Sequence, residues 1–272
     1  MKKNIYQPVE AVIEDVIQET PAIKTFVLRP KEEFSFTTGQ FIELTVPGVG
    51  EGPFTPSSDP FVKEKFDVTI MKAGRVTSEL HGMDKGDIVG IRGPYGKGYP
   101  LDQFKGKDIL IVGGGVGLAP LRSLLFTLFA QIDNYKKVFL RYGARTSNDI
   151  VYKNAIPEWT KKDKVDIITS VDVGDPGWQG NVGLVTTILK DVPVDFNIAK
   201  AIVCGPPIMM KFVTLKLLDL GFKPQDIYLS MEKSMSCGLG KCGHCRVGKY
   251  YACKDGPVFT YEQLKDIHDI WD

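Results

Sequence analysis

"KDILIVGGGVGLAP" (107–120) decides how this chain folds. Residues 109–112 are a continuous apolar run, long enough for a buried strand. Glycines 113–115 then break the run, and "VGLAPLRSLLFTLFAQI" (116–132) carries apolar residues at helical spacing. Strand, glycine turn and helix in that order make the opening unit of a parallel sheet. Glycines at such a turn let a pyrophosphate approach the backbone at the positive end of a helix. A tight turn without a ligand is the plainer reading of the same glycines.

Downstream the pattern repeats. "KVFLRYGA" (137–144) and "VDIITSV" (165–171) read as strands, and "GLVTTILKDV" (183–192) as a helix. Then come strand "AKAIVCG" (199–205), helix "PPIMMKFVTLKLLDLG" (206–221) and strand "DIYLSME" (226–232). The alternation predicts a Rossmann-like α/β domain with helices on both faces of its sheet. In the last helix Ile208, Phe212, Leu215 and Leu218 share one face, and Gly221 is a plausible stop. "CGPP" (204–207) closes a strand of this sheet, so Cys204 falls at a C-terminal strand edge, where such sheets bind ligands. A buried core thiol is the alternative for Cys204.

Upstream of residue 103 the texture is different. "KTFVLRP" (24–30), "GQFIELTVP" (39–47), "KFDVTIMK" (65–72) and "GDIVGIRG" (86–93) are short strand-like runs with turn residues between them. They predict a small antiparallel β-barrel. "GEGPFTPSSDP" (50–60) reads as a loop and "RVTSELHGM" (75–83) as a short helix. Gly74 and Arg75, then Thr77 or Ser78, at the start of that helix suit a phosphate, or the two hydroxyls simply cap it. The expected layout is a barrel over 1–102, an α/β domain over 103–230 and a small C-terminal module over 231–272.

That module holds "CGLGKCGHCRVGKYYAC" (237–253), with four of the five cysteines spaced C-x4-C-x2-C-x7-C. The first three follow the plant-type [2Fe–2S] spacing, with the fourth unusually near. Glycines 238, 240 and 243 let the backbone wrap a cluster and aim N–H groups at its sulfurs. The expected ligands are Cys237, Cys242, Cys245 and Cys253. Zinc is the competing occupant, although zinc sites usually use two C-x2-C pairs. His244 is read as a bystander.

Composition excludes several classes. The chain has 272 residues, a net charge of +1 and only three histidines. It shows no basic run for nucleic acid. The greasiest stretch, "LRSLLFTLFA", is about half a membrane span. The start "MKKNIYQPVEAVIEDVIQE" has no apolar stretch of the kind a signal peptide needs. The expectation is a soluble cytoplasmic protein with no nucleic-acid partner and no membrane insertion. No H-E-x-x-H, G-x-S-x-G or P-loop motif is present.

"PFTPSS" (53–58), "GGGVGLAP" (113–120), "YGART" (142–146) and "CGPP" (204–207), in that order, resemble the ferredoxin–NADP reductase superfamily. The tail "KCGHC" with "ACKDGPVFTYEQL" (252–264) looks like the gamma subunit of cytosolic NAD(P)-linked hydrogenases. It is also similar to the matching component of anaerobic sulfite reductase and to the electron-transfer subunit of dihydroorotate dehydrogenase. The resemblance implies FAD between barrel and α/β domain, with the Phe54 ring on the flavin and the Thr55 hydroxyl near its N5. Ser57 and Ser58 then line the same loop. Gly52 stands where the superfamily often has a pyrophosphate-binding arginine, which shifts that task to Gly74, Arg75, Val76 and Thr77. Cys204, with Gly205, comes to lie beside the nicotinamide. Gly114, Gly115 and Gly117 match the NAD(P) pyrophosphate turn, and Arg145 the adenosine end. Arg145 would suit a 2′-phosphate. Asp172 and Asp175 would suit a free 2′-hydroxyl, and the reading leans to NAD.

The implied function is electron transfer between NAD(P)H, FAD, a [2Fe–2S] cluster and other redox subunits of a larger complex, most nearly a hydrogenase. A component of dihydroorotate dehydrogenase or sulfite reductase, or a ferredoxin–NAD(P) reductase, is the alternative within the enzyme class. A zinc-binding nucleotide sensor is the non-enzyme alternative.

Overall fold

The computed structural model describes residues 4–190 and 192–271. Residues 1–3, at the head of the stretch read as lacking a signal peptide, lie outside the described residues, as do Asp191 in the expected helix 183–192 and Asp272 in the expected module 231–272.

The first unit contains β1 (Val9–Thr20), β2 (Ile23–Pro30), β3 (Phe41–Val46), β4 (Gly50–Phe54), β5 (Phe66–Met71), α1 (Arg75–Leu80) and β6 (Ile88–Tyr95). The strands form an antiparallel sheet in the order β4-β3-β6-β1-β2-β5. The sheet curls until its edges approach, and a Pro56–Val68 bridge joins them. This is the expected barrel-like fold. Its core is Ile13, Phe26, Leu28, Ile42, Leu44, Val68 and Val89, all at or near zero exposure. Two strands depart from the sequence reading. β1 was not expected, and Gly50–Phe54, expected as loop, is the edge strand β4, paired with β3 from Ile42↔Phe54 to Val46↔Gly50. Glycine and proline are tolerated there because one side of an edge strand has no ladder to complete.

The second unit contains β7 (Asp108–Gly114), α2 (Leu118–Ala130), β8 (Lys137–Ala144), α3 (Ile156–Thr160), β9 (Val165–Val171), β10 (Asn181–Val182), β11 (Lys200–Cys204), α4 (Pro207–Asp219) and β12 (Ile227–Ser230). Residues 183–192 hold a short 3-10 turn at Val185–Ile188 in place of the expected α-helix. Val185, Thr186, Thr187 and Ile188 are β-branched and stiff at χ1, and Pro193 follows closely.

The chain continues through β13 (Arg246–Val247), β14 (Tyr250–Tyr251), α5 (Ala252–Asp255), β15 (Val258–Thr260) and α6 (Tyr261–Leu264). The large sheet runs β10-β9-β8-β7-β11-β12-β15, parallel throughout except for β15, which is antiparallel to β12. Leu121, Leu124, Leu125 and Leu128 of α2 pack with Ile109 and Ile111 of β7 in one core. Met210, Val213 and Leu217 of α4 pack in the other with Leu110 and Val112. Helices therefore cover both faces, as the alternation predicts. Ile208, Phe212 and Leu215 form the solvent-facing side of α4, at 61, 55 and 44% exposure. Among the described residues no helix is long and apolar enough to cross a membrane.

Candidate functional site

Strand order reverses between β7 and β11. From β7 the chain moves outward through β8 and β9, then crosses to β11 on the other side. Ligands of open α/β sheets bind at such a switch point, beyond the carboxyl ends of the strands. The glycine turn leaves β7 there, and Cys204 and Gly205 leave β11 beside it. The two meet so closely that a β-carbon on Gly117 would stand 2.6 Å from both Cys204 O and Gly205 Cα. The turn is pinned from below, where the buried Tyr142 hydroxyl donates to Gly115 O at 3.1 Å and accepts from Val151 N–H at 3.1 Å.

The cleft over this switch point measures about 700 Å³, within the usual range for a small-molecule site. Phe54, Thr55 and Thr77 of the first unit line it. So do Val116, Cys204 and Pro207 of the second unit, and Met231–Met235 on the way to the cysteine loop. Phe54 ends β4 with its ring packed against the barrel core. Gly52 leaves room for that ring, since a β-carbon there would meet Phe54 Cε2 at 3.2 Å. Val76 packs beside it.

Thr77 caps α1 by accepting the N–H groups of Ala73 at 2.9 Å and Gly74 at 2.8 Å. The N–H groups of the first helical turn have no intrahelical partners and stay available to an anion. Ser57 and Ser58 are turned to structural work. Ser57 Oγ lies 3.0 Å from Thr69 Oγ1 in a buried hydroxyl network, and Ser58 Oγ accepts Asp67 N–H at 2.9 Å. Neither lines the cleft.

Cys204 is 1% exposed, yet it borders the cleft. Burial pushes its thiol up to about 12, Glu232 adds to this, and the Ser230 side chain and Gly205 N–H work the other way. The thiol stays protonated and works as a small polarisable wall. Glu232 opens onto the cleft while the protein around it raises its carboxyl above the ordinary value. The sequence reading did not single out Glu232, Ser230 or Tyr142. Glu232 carried a usable signal, since it follows a strand that ends beside "CGPP". Arg145 is exposed at the end of β8. Asp175 accepts from Ser147 Oγ at 2.6 Å, and Asp172 is exposed nearby.

In the cysteine loop, Leu239 N–H and Lys241 N–H each point at Cys237 Sγ at 3.3 Å, and Gly240 N–H points at Cys253 Sγ at 3.0 Å. Cys245 Sγ and Cys253 Sγ are 3.2 Å apart. Burial raises the Cys237 thiol, but N–H groups of Cys242, Leu239 and Lys241 outweigh it and bring the thiol down to about 6. Burial and the Cys245 thiol push Cys253 up. Cys242 is exposed, and among the described residues no three His, Cys, Asp or Glu groups surround a single metal-ion position. The segment 237–253 carries all four thiols, three of them before β13 and Cys253 in α5. Its N–H groups are already aimed at sulfur, which fits thiolates that would hold an iron–sulfur cluster.

Family models for an oxidoreductase FAD-binding domain match residues 11–99, and for an oxidoreductase NAD-binding domain residues 111–214. The model for the iron–sulfur cluster binding domain of dihydroorotate dehydrogenase B matches residues 232–265. The gamma subunit of sulfhydrogenase 2 from Pyrococcus furiosus is 38% identical over 95% of this chain and 96% of its own length. This chain belongs to the ferredoxin reductase-like family. The family's members pair an FAD-binding domain with an NAD-binding one, and in this chain an iron–sulfur cluster binding domain follows them in sequence. The probable electron-transfer subunit of dihydroorotate dehydrogenase B from the same organism is 37% identical over 93% of this chain and 90% of its own length. The solved structure of an NADH-dependent reduced ferredoxin–NADP oxidoreductase matches with a TM-score of 0.75. It is 25% identical and covers 97% of this reductase and 91% of that chain. The chain is thus an NAD(P)H-dependent flavin and iron–sulfur oxidoreductase.

Proposed function

We propose that this chain is the cytoplasmic electron-transfer subunit of a larger redox complex, passing electrons between NAD(P)H and partner subunits of the hydrogenase kind. One observation carries the reading. A single cleft is bordered by the end of β4, by the end of β11 and by the segment that runs on into the cysteine loop. FAD, when bound, supplies the conversion between hydride and single electrons.

The chain's own residues do the placing. Phe54 walls the flavin, and Thr55 offers a hydroxyl at its edge. Ser57 and Ser58 hold that loop in shape. The first turn of α1, through Gly74, Arg75, Val76 and Thr77, takes the FAD phosphates. Gly114, Gly115 and Gly117 admit the NAD(P) pyrophosphate, and Arg145 meets the adenosine end. Cys204, at the edge of the cleft, and Gly205 after it would receive the nicotinamide. Cys237, Cys242, Cys245 and Cys253 hold the [2Fe–2S] cluster. On this reading residues 1–102, 103–230 and 231–272 serve flavin, nucleotide and cluster in turn. Asp172 and Asp175 near the adenosine end favour NAD over NADP.

The test is anaerobic purification. About one FAD and two irons per chain are expected. With NADH the isolated chain should reduce one-electron dyes and show no hydrogen chemistry until its partner subunits are added. Stoichiometric zinc without iron would support the sensor reading instead. A second reading, electron supply to a dihydroorotate dehydrogenase, is favoured by the family model matched at 232–265. Co-purification with a dihydroorotate dehydrogenase subunit would select it.

A further inference from the structure

Arg92 lies on β6 directly across from Glu43 of β3. Its side chain is 4% exposed, which is expensive for a cation unless its donors are met. Glu51 on β4 meets part of that need, with Nε to Oε1 at 3.0 Å and Nη2 to Oε2 at 2.5 Å. Two further contacts leave the barrel and one stays within it. Nη2 reaches Ser236 O at 3.2 Å, and Nη1 reaches Cys237 O at 3.4 Å and Tyr95 Oη at 3.1 Å. The Tyr95 ring lies against Gly238 so closely that a β-carbon there would meet it at 2.6 Å. A guanidinium and a ring of the flavin-side barrel thus grip the backbone on either side of the first cysteine.

We propose that Arg92 is a positioning residue for electron transfer, fixing the cysteine loop on the barrel and setting the reduction potential of the cluster that the loop holds. The inference rests on the reading of that loop as an iron–sulfur site. A plain fold-stabilising ion pair with Glu51 is the simpler role, but it does not use the donors that cross to Ser236 and Cys237. β3 and β6 are already joined by their backbone ladder, so the guanidinium adds little to the barrel itself. Its planar fork spans a carboxylate and two carbonyls at once, which a lysine ammonium does not. The sign of the electrostatic effect follows from charge. Reduction adds a negative charge to the cluster, so a nearby cation raises the potential and a nearby carboxylate lowers it.

The test uses the full chain, purified anaerobically, as wild type, R92M, R92K and E51Q. Iron and FAD content, the electron paramagnetic resonance spectrum of the reduced protein, and the cluster midpoint potential are measured. Stopped-flow with NADH follows flavin and cluster reduction separately. R92M should lower the potential and E51Q raise it, with FAD content and flavin reduction at wild-type levels in both. R92M should also slow cluster reduction or weaken cluster retention by about tenfold, the scale of outer-layer changes at metal sites, and R92K should not restore either. Should R92M lose FAD as well, E51Q alone decides, since it keeps the guanidinium in place. Unchanged potentials in R92M and E51Q, or full rescue by R92K, overturn the proposal while leaving the cluster reading intact. Wild-type protein without iron overturns both.

Discussion

Cys204 is a cysteine without nucleophilic chemistry. Burial pushes its thiol up to about 12 and favours the neutral form near neutral pH, which leaves shape at the mouth of β11 as its contribution. Cys204→Ala should retain FAD in full and slow flavin reduction by NADH about tenfold, since the nicotinamide would sit less squarely. Stopped-flow rates equal to wild type would reduce Cys204 to core filling. Glu43 makes a different residue-scale statement. Its side chain is fully buried and neither carboxylate oxygen has a hydrogen-bond partner. Burial pushes its pKa from 4.5 to about 7; Arg92 opposes the rise, and Glu51 and Cys237 add to it. The folded state therefore holds this proton more tightly than the unfolded chain does. That contribution is whole below pH 4.5 and is lost as the pH climbs to about 7. Denaturant titrations of the cofactor-loaded protein should show a loss on the order of 1–3 kcal/mol across that window. Glu43→Gln should flatten it. An unchanged pH profile in that variant would show that Glu43 does not titrate there.

Among the elements, the turn between β7 and α2 is the most constrained. Any side chain at Gly117 must displace the backbone of Cys204 and Gly205, which has no flexible end to yield. Gly117→Ala should cost about 1–3 kcal/mol, as overpacking does, and raise the Kd for NAD(P)H while leaving FAD bound. Thermal melts together with nucleotide titrations would check both effects. This turn, β8, β9, β11 and α2 were legible in the sequence because short strand-like runs rich in apolar residues and a helical stripe alternate there between clear glycine stops. β4 was not, because Gly50, Gly52 and Pro53 look like loop residues and only pairing with β3 makes them a strand. The α4 stripe of Ile208, Phe212 and Leu215 shows another limit. Spacing gives a face but not its direction, and here the core takes Met210, Val213 and Leu217. The Arg92 grip was illegible for a third reason. It joins β4, β6 and residues 236–237, which only the register of the barrel brings together.

For the whole molecule, the two sheets meet through specific polar contacts. Arg122 of α2 pairs with Asp67 of β5 at 2.9 Å and lies over the Tyr152 ring, whose hydroxyl donates to Thr69 at 2.6 Å. The far end is held by hydrophobic packing. Phe259 on β15 is 1% exposed, with its ring against Gly256 and near Tyr250. Phe259→Ala should cost about 3–5 kcal/mol and lower the melting temperature of the entire chain, because β15 belongs to the nucleotide-binding sheet. A calorimetric scan that lost only a small, separate transition would show instead that the C-terminal segment melts on its own. The pairing of β15 has a further consequence for anyone recombining such proteins. Ser230 and Val258 are direct partners across the last two strands, so the iron–sulfur segment leaves and re-enters the sheet at one spot, like a cassette with both ends clipped in place. A chimera that joins a foreign tail at residue 231 would strip an edge strand and open the β12 backbone to stray strand pairing. Exchanges that cut after Ser230 and again before Val258 would carry the cysteine segment together with the Met231–Met235 wall of the cleft and leave the sheet whole.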